Sequence, residues 1–359
     1  MKAVYIHIPF CDNICSYCDF CKIYYNPKIV DNYLDELEKE IKTRYQNEII
    51  KSIYIGGGTP SSLPNTKLER LLNLMKFFHT SLDCEFTIEV NPESMSLDKV
   101  KLLKKYQVNR VSIGVQSFND EIIKELNRYH NKQMVFDVIH MLKSVGITNI
   151  NIDLMYGVNN DISIIKEDLD NFIKLDIPHL SYYSLIIEDN TLFSINNRKY
   201  IDEEVEYDMY KYINDTLTNF GYIHYEISNY AKIGYESKHN LVYWNNLEYY
   251  GFGLSAVSYL NNYRITNTKN LTKYLKGIYE DSNIYEDIEI QKQNTLILGF
   301  RKLEGINLID YQKRYNENLL ENPKIISLIE EHKLMVQNNY IKISDEYFYV
   351  SNEILINFV

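Results

Sequence analysis

The sequence predicts an α/β fold in which six successive βα units form a partial (β/α)6 barrel, followed by a small C-terminal α+β domain. Three observations carry that prediction. Apolar, β-branched runs of strand length recur six times between Ala3 and Ile187. Amphipathic helical patterns fill the gaps between them. Beyond about Tyr263 the repeat gives way to helix-rich sequence. Right-handed crossovers between such units lead to a barrel or a doubly wound sheet, and six units suit the partial barrel.

The strand runs are Ala3 to Pro9, Ser52 to Ile55, Phe86 to Val90, Arg110 to Val115, Ile150 to Met155 and Leu180 to Ile187. Short continuous apolar runs of this kind are the mark of buried parallel strands. The helical patterns are Val30 to Tyr45, Leu68 to Phe78, Leu97 to Tyr106, Glu121 to Leu126, Met134 to Ser144 and Ile164 to Leu175, with a further one over Glu203 to Phe220. Gly146 and Gly221 follow two of them where a left-handed C-cap belongs. The expected division is 1–285 for the barrel with an extension and 286–359 for the C-terminal domain. The stretch from Asn339 to Val350 reads as a hairpin turning at Asp345-Glu346.

With 359 residues and 45% hydrophobic content, the chain can bury full-size cores. It has no run of about 18 uninterrupted apolar residues, and its N-terminus enters the first strand pattern without a signal-peptide profile. A soluble cytoplasmic protein is expected, with no transmembrane segment and at most a peripheral membrane association. The net charge of −11 argues against a nucleic-acid partner.

Four of the five cysteines, Cys11, Cys15, Cys18 and Cys21, follow the first strand directly. In a large cytoplasmic chain such clustering indicates a metal site rather than a disulfide framework. Cys11-x3-Cys15-x2-Cys18 brings three thiolates from one loop to one centre. A 4Fe-4S cube held by three thiolates keeps one iron open to a further ligand, whereas four thiolates close every iron. The spacing also allows a structural zinc site completed by His7 or Cys21, and Cys21 reads equally as a small hydrophobe.

Polar residues gather at the predicted strand ends. Gly56-Gly57-Gly58-Thr59-Pro60 closes the second strand, where missing side chains let backbone groups approach a ligand. Glu89 ends the third strand, Gln116 ends the fourth and Asp153 sits on the fifth. A carboxylate accepts two hydroxyls well, and Arg128 suits a charge-assisted contact with a carboxylate. Each has an ordinary structural reading, such as a tight turn or an exposed strand-end acid. In a barrel, however, these positions meet at one mouth.

Cys-x3-Cys-x2-Cys after a first strand, followed by Gly-Gly-Gly-Thr-Pro, resembles the signature of the radical S-adenosylmethionine (SAM) superfamily. The resemblance implies a 4Fe-4S cluster on Cys11, Cys15 and Cys18, with the amino and carboxylate groups of SAM on the open iron. It also implies reductive cleavage of SAM to a 5′-deoxyadenosyl radical. The implied cofactor contacts are Tyr5, Tyr17, Gly57, Gly58, Thr59, Glu89, Gln116, Arg128 and Asp153, with Tyr17 as a lid over adenine.

Tyr5-Ile-His-Ile-Pro-Phe-Cys11, Gly114-Val-Gln-Ser-Phe118 and Ile152-Asp-Leu-Met-Tyr-Gly157 narrow the match to the oxygen-independent coproporphyrinogen oxidase-like branch, over nearly the whole chain. That branch holds true oxidases and the HemW-like heme chaperones. Asp19-Phe20 after the third cysteine is similar to the chaperone pattern; the oxidase pattern has a cysteine two residues after that third cysteine and a longer segment before the cluster. Ser237-Lys-His-Asn-Leu-Val-Tyr-Trp244 resembles the chaperone motif His-Asn-x-x-Tyr-Trp, which implies heme contact by His239, Tyr243 and Trp244, the sole tryptophan. Read without the resemblance, His239 is a core histidine beside an aromatic pair. The expected function is a heme chaperone that binds heme as cargo, a 4Fe-4S cluster and SAM. Its partners are then apo-hemoproteins, respiratory ones among them, and it lacks coproporphyrinogen oxidase activity. The alternative is an oxygen-independent coproporphyrinogen III dehydrogenase. In one departure, Val158-Asn-Asn-Asp-Ile162 stands where the family has Pro-Gly-Gln-Thr after Tyr-Gly-Leu.

Overall fold

The computed structural model describes residues 2–359. Its first six long strands are β1 (Lys2–Ile8), β2 (Ile50–Gly57), β3 (Thr80–Val90), β4 (Arg110–Gln116), β5 (Asn149–Tyr156) and β6 (His179–Ser184). They lie in chain order with every neighbouring pair parallel. Helices α1 (Pro27–Arg44), α2 (Asn65–Leu74), α3 (Leu97–Lys105), α4 (Asp120–Glu125), α5 (Lys132–Ser144) and α6 (Ile162–Leu175) occupy the crossovers. Because β6 does not pair with β1, the barrel is partial. Gly146 takes a φ of 77° behind α5, as its capping role requires.

Side-chain alternation separates the two faces of these strands. Val4, Ile6 and Ile8 of β1, Phe86, Ile88 and Val90 of β3, and Val111, Ile113 and Val115 of β4 all enter the core beneath the helices. The intervening residues are polar: Tyr5 on β1, Tyr54 on β2, Glu89 on β3, Arg110 and Ser112 on β4, Asn151 and Asp153 on β5, and His179 and Ser181 on β6. They hydrogen-bond to one another inside the barrel. Asn151 Nδ2 donates to Ser112, Asp153 and Ser181 at 2.7–3.0 Å, and His179 Nδ1 lies 2.6 Å from Asn151 Oδ1. Runs that read as uniformly apolar are thus amphipathic at period two, with a polar lumen that leads to the strand ends.

The sheet extends beyond both barrel edges. Helix α7 (Glu203–Asn219) leads to β7 (Ile223–Glu226) and β8 (Asn229–Ala231), which continue the sheet antiparallel from β6. Helix α8 (Lys238–Trp244) then crosses the N-terminal end of the barrel, where Glu85 accepts the Lys238 and His239 backbone N–H groups at 3.1 Å. Beside β1 come β9 (Tyr249–Phe252), β10 (Val257–Leu260), β11 (Tyr263–Asn267) and β12 (Glu280–Tyr285). The expectation of helix-rich sequence after Tyr263 is therefore corrected, since two more strands of the main sheet come first.

A second core, with Phe300, Ile306, Ile325, Ile341 and Phe358 among its members, lies within residues 296–358. Around it pack α9 (Ile288–Gly299), α10 (Leu308–Tyr315), α11 (Pro323–Glu330) and a small antiparallel sheet of β13 (Ile306–Asn307), β14 (Leu334–Gln337) and β15 (Tyr340–Ile343). Its hairpin turns at Asn338-Asn339, with φ of 50° and 64°. The expected turn at Asp345-Glu346 is instead the start of a short 3-10 helix, Asp345–Tyr347. Among the described residues, no helix is long and apolar enough to cross a membrane.

Candidate cofactor site at the strand ends

The loop after β1 carries the cysteines back across the barrel mouth. Phe10–Cys11 pairs in parallel with Ile23–Tyr24, which holds the two ends of the loop together. Cys11, Cys15 and Cys18 line one cavity of about 140 Å³ with Tyr17, Gly57, Gly58, Thr59, Glu89, Gln116, Arg128 and Asp153. The Thr59 hydroxyl donates to Cys11 Sγ at 3.6 Å, and Arg128 Nη1 donates to Cys15 Sγ at 3.7 Å. Burial pushes the Cys11 thiol up to about 12, although the Thr59 bond opposes the shift. A metal centre on this sulfur therefore displaces a firmly held proton.

The two residues proposed to complete a zinc site, His7 and Cys21, are engaged elsewhere. His7 is buried, with Nδ1 3.1 Å from the Tyr5 hydroxyl and Nε2 2.7 Å from the Cys21 carbonyl. Its ring supports the glycine turn, since a Cβ on Gly57 would come within 2.5 Å of it. Cys21 packs against the main core, as a small hydrophobe does. Among the described residues, no three His, Cys, Asp or Glu groups converge on a single-ion position.

The glycine turn fits a ligand-binding cradle. A Cβ on Gly56 would lie 2.7 Å from the Glu89 carboxyl carbon, and one on Gly58 would meet the Phe10 carbonyl oxygen at 2.8 Å. Gly57 adopts a φ of 113°, which favours glycine. Its N–H donates to Glu89 Oε2 at 3.1 Å, and the Tyr54 hydroxyl donates to Oε1 at 2.8 Å. Burial raises the Glu89 carboxyl to about 7 against both bonds, and the nearby Asp153 adds to the rise.

Gln116 has a φ of 68° beside a bulge between Gly114 and Gln116, a backbone setting that a non-glycine residue adopts at a cost. Its Oε1 accepts from the Tyr183 hydroxyl at 2.5 Å. Arg128 donates to the Gly114 carbonyl at 2.6 Å and to Asn91 Oδ1 at 2.9 Å, which fixes the guanidinium beside Cys15. Burial works against the Arg128 charge, but Tyr17, Cys15 and Glu93 outweigh it and hold its pKa above the ordinary value.

Tyr5 departs from the expected set. It does not line the cavity but lies one layer deeper, stacked on Tyr54 with centroids 6.2 Å apart. Asn91 and Tyr183 are among the lining residues that escaped the sequence reading. Asn91 follows Glu89 by two positions on the same side of the chain, and Tyr183 ends β6, so strand-end position was the available signal for both. In the departing loop, Asn159 accepts the Asp161 N–H at 3.0 Å and Asp161 caps α6, giving the helix a regular start without the family sequence.

Of the three expected heme residues, His239 and Tyr243 meet in the lumen, while Trp244 stands apart from them. His239 is 1% exposed, and its ring closes the base of the lumen. Its Nδ1 lies 3.0 Å from the Ser52 hydroxyl and its Nε2 2.8 Å from that of Tyr243. This is a core histidine with both nitrogens occupied, so iron ligation from this conformation requires one of those bonds to break. Trp244 faces away from the lumen and lines a separate cavity against the C-terminal unit.

Residues 5–169 match the radical SAM superfamily. Across its whole length the chain is 37% identical to the heme chaperone HemW of Lactococcus lactis subsp. lactis (strain IL1403), covering 97% of that protein. The chain belongs to the HemW family. The Bacillus subtilis (strain 168) heme chaperone HemW is also 37% identical, over 89% of this chain and 88% of its own. The HemW of Escherichia coli (strain K12) is 35% identical over 86% and 85%. The solved structure of Escherichia coli coproporphyrinogen III oxidase (HemN), a radical SAM enzyme, superposes with a TM-score of 0.86 at 22% identity, over 99% of this chain and 89% of that one. The two share a fold. Membership of the radical SAM superfamily implies a 4Fe-4S cluster and SAM for this HemW-family chain.

Proposed function

We propose that this chain is a heme chaperone that binds heme, passes it to apo-hemoproteins in the cytoplasm or at the membrane surface, and holds a 4Fe-4S cluster and SAM at the strand-end cavity. The observation that carries the reading is the kinship with heme chaperones over the full length of both chains. When bound, the cluster and SAM supply one-electron chemistry at the barrel mouth.

The protein's own contribution is positional. Cys11, Cys15 and Cys18 offer three thiolates, and the Thr59 and Arg128 hydrogen bonds to two of the sulfurs are of the kind that tune such centres. The backbone at Gly57 and Gly58 admits a ligand's amino and carboxylate groups, and the Arg128 guanidinium supplies the opposite charge. Glu89, Gln116 and Asp153 offer acceptors for hydroxyl groups, and Tyr17 covers the cavity. Tyr5 acts through Tyr54, which orients Glu89.

The test has two parts. Heme-loaded protein mixed with a heme-free b-type cytochrome is expected to lose its heme to it. Anaerobic incubation of reconstituted protein with SAM, a reductant and coproporphyrinogen III is expected to yield no vinyl groups. Vinyl formation establishes the dehydrogenase reading instead.

A further inference from the structure

The strand-end site leaves unused a cavity of about 470 Å³ between the end of α8 and the C-terminal unit. That volume falls in the range of small-molecule sites, roughly 300–1,000 Å³. Trp244, Tyr311 and Tyr340 contribute aromatic surface to it. Lys302, only 4% exposed, reaches into the same space from behind α9. A nearly buried ammonium is costly unless it is paired.

Two cations converge at one edge of this cavity. Lys302 Nζ donates to Asn245 Oδ1 at 2.8 Å, while Arg314 donates to the Asn245 and Asn246 carbonyls at 3.3 and 2.8 Å. Both thus meet at the residues that follow Trp244. The present counter-ion of Lys302 is Glu304, 3.1 Å away, whose side chain is 58% exposed and free to swing into water. Asp310 at the rim is also exposed and lies 3.8 Å from Lys313. The cavity therefore joins aromatic walls to an edge where carboxylates would find charge-assisted partners.

Resting on the reading that the chain carries heme, we propose that this cavity seats the porphyrin macrocycle, with its propionates on Lys302 and Arg314. Its lining holds no His, Cys or Met, and with Tyr311 and Tyr340 packed on the macrocycle the iron takes no axial ligand from the walls. The site grips the organic edge of the cargo and keeps the metal accessible to an acceptor. His239 stays in the lumen core and does not participate.

Titration of the full chain with protoporphyrin IX, heme and protoporphyrin IX dimethyl ester tests this. Metal-free porphyrin and heme are expected to bind within about threefold of each other. Lys302→Met and Arg314→Gln are each expected to weaken both at least tenfold, a change equivalent to about 1.4 kcal/mol. The dimethyl ester should bind weakly and be indifferent to both substitutions. Arg314 is exposed, so Arg314→Gln reads the site even if the buried Lys302 change disturbs folding. Wild-type affinity in both folded variants, or an ester that binds like the diacid, overturns the cavity assignment while leaving the chaperone reading intact. A wild-type chain that binds no porphyrin overturns both.

Discussion

At the scale of single residues, His239 decides how its motif is understood. Its ring lies 5.0 Å from those of Tyr54 and Tyr243, centroid to centroid, and burial with the nearby Arg110 charge lowers its pKa to about 3. It is neutral at physiological pH and acts as a hydrogen-bonded wedge between Ser52 and Tyr243. Replacement by alanine opens a cavity and strands two buried hydroxyls, so His239→Ala is expected to destabilise the chain by about 2–4 kcal/mol. Urea unfolding measures it, and a loss below about 0.5 kcal/mol is incompatible with the core role. The motif was legible in the sequence, but its geometry was not. Positions four apart on a helix share a face, so His239 and Tyr243 point together into the lumen, while Trp244, one residue on, points elsewhere. The strand-end residues were easier to read, because a strand end fixes which way a side chain faces.

At the scale of elements, the parallel strands were legible because their outward residues form unbroken apolar sets. The antiparallel additions were not, since β10, β11 and β12 carry Ser, Tyr, Asn and Arg, and the signal lay in their turns. Leu260 pairs with Tyr263 across Asn261-Asn262, and Gln337 pairs with Tyr340 across Asn338-Asn339. All four asparagines have positive φ, between 50° and 65°. Two-residue turns of this hand suit the twist of a hairpin, and glycine is preferred at their second position. Asn339→Gly is therefore expected to stabilise the C-terminal hairpin by roughly 0.5 kcal/mol, and Asn339→Val to destabilise it by about 1 kcal/mol or more. Thermal unfolding of the pair of variants checks the order. A valine variant as stable as the glycine one contradicts the turn assignment.

At the scale of the whole molecule, the barrel mouth is tied to the helical layer through one buried acid. Asp168 on α6 is fully buried, accepts the Phe118 N–H at 2.6 Å and the Ser117 hydroxyl at 3.0 Å, and so fixes the loop that leaves Gln116. Burial raises its carboxyl to about 7, although both bonds oppose the shift. An acid whose folded pKa lies above its unfolded value holds its proton more tightly in the folded state. Its contribution to stability is fully present below about pH 4 and is lost as pH rises toward 7. Asp168→Asn keeps an acceptor oxygen but cannot ionise. Whatever offset the substitution has at pH 4.5, the stability of the variant relative to the wild type should climb by about 1.4 kcal/mol per pH unit toward pH 7 and then level. The buried histidines titrate alike in both proteins and cancel from the difference. Urea unfolding of the two chains across that range gives the slope directly. A difference that stays flat with pH means that Asp168 ionises at its ordinary value, and that the clamp behind Gln116 is a charged one.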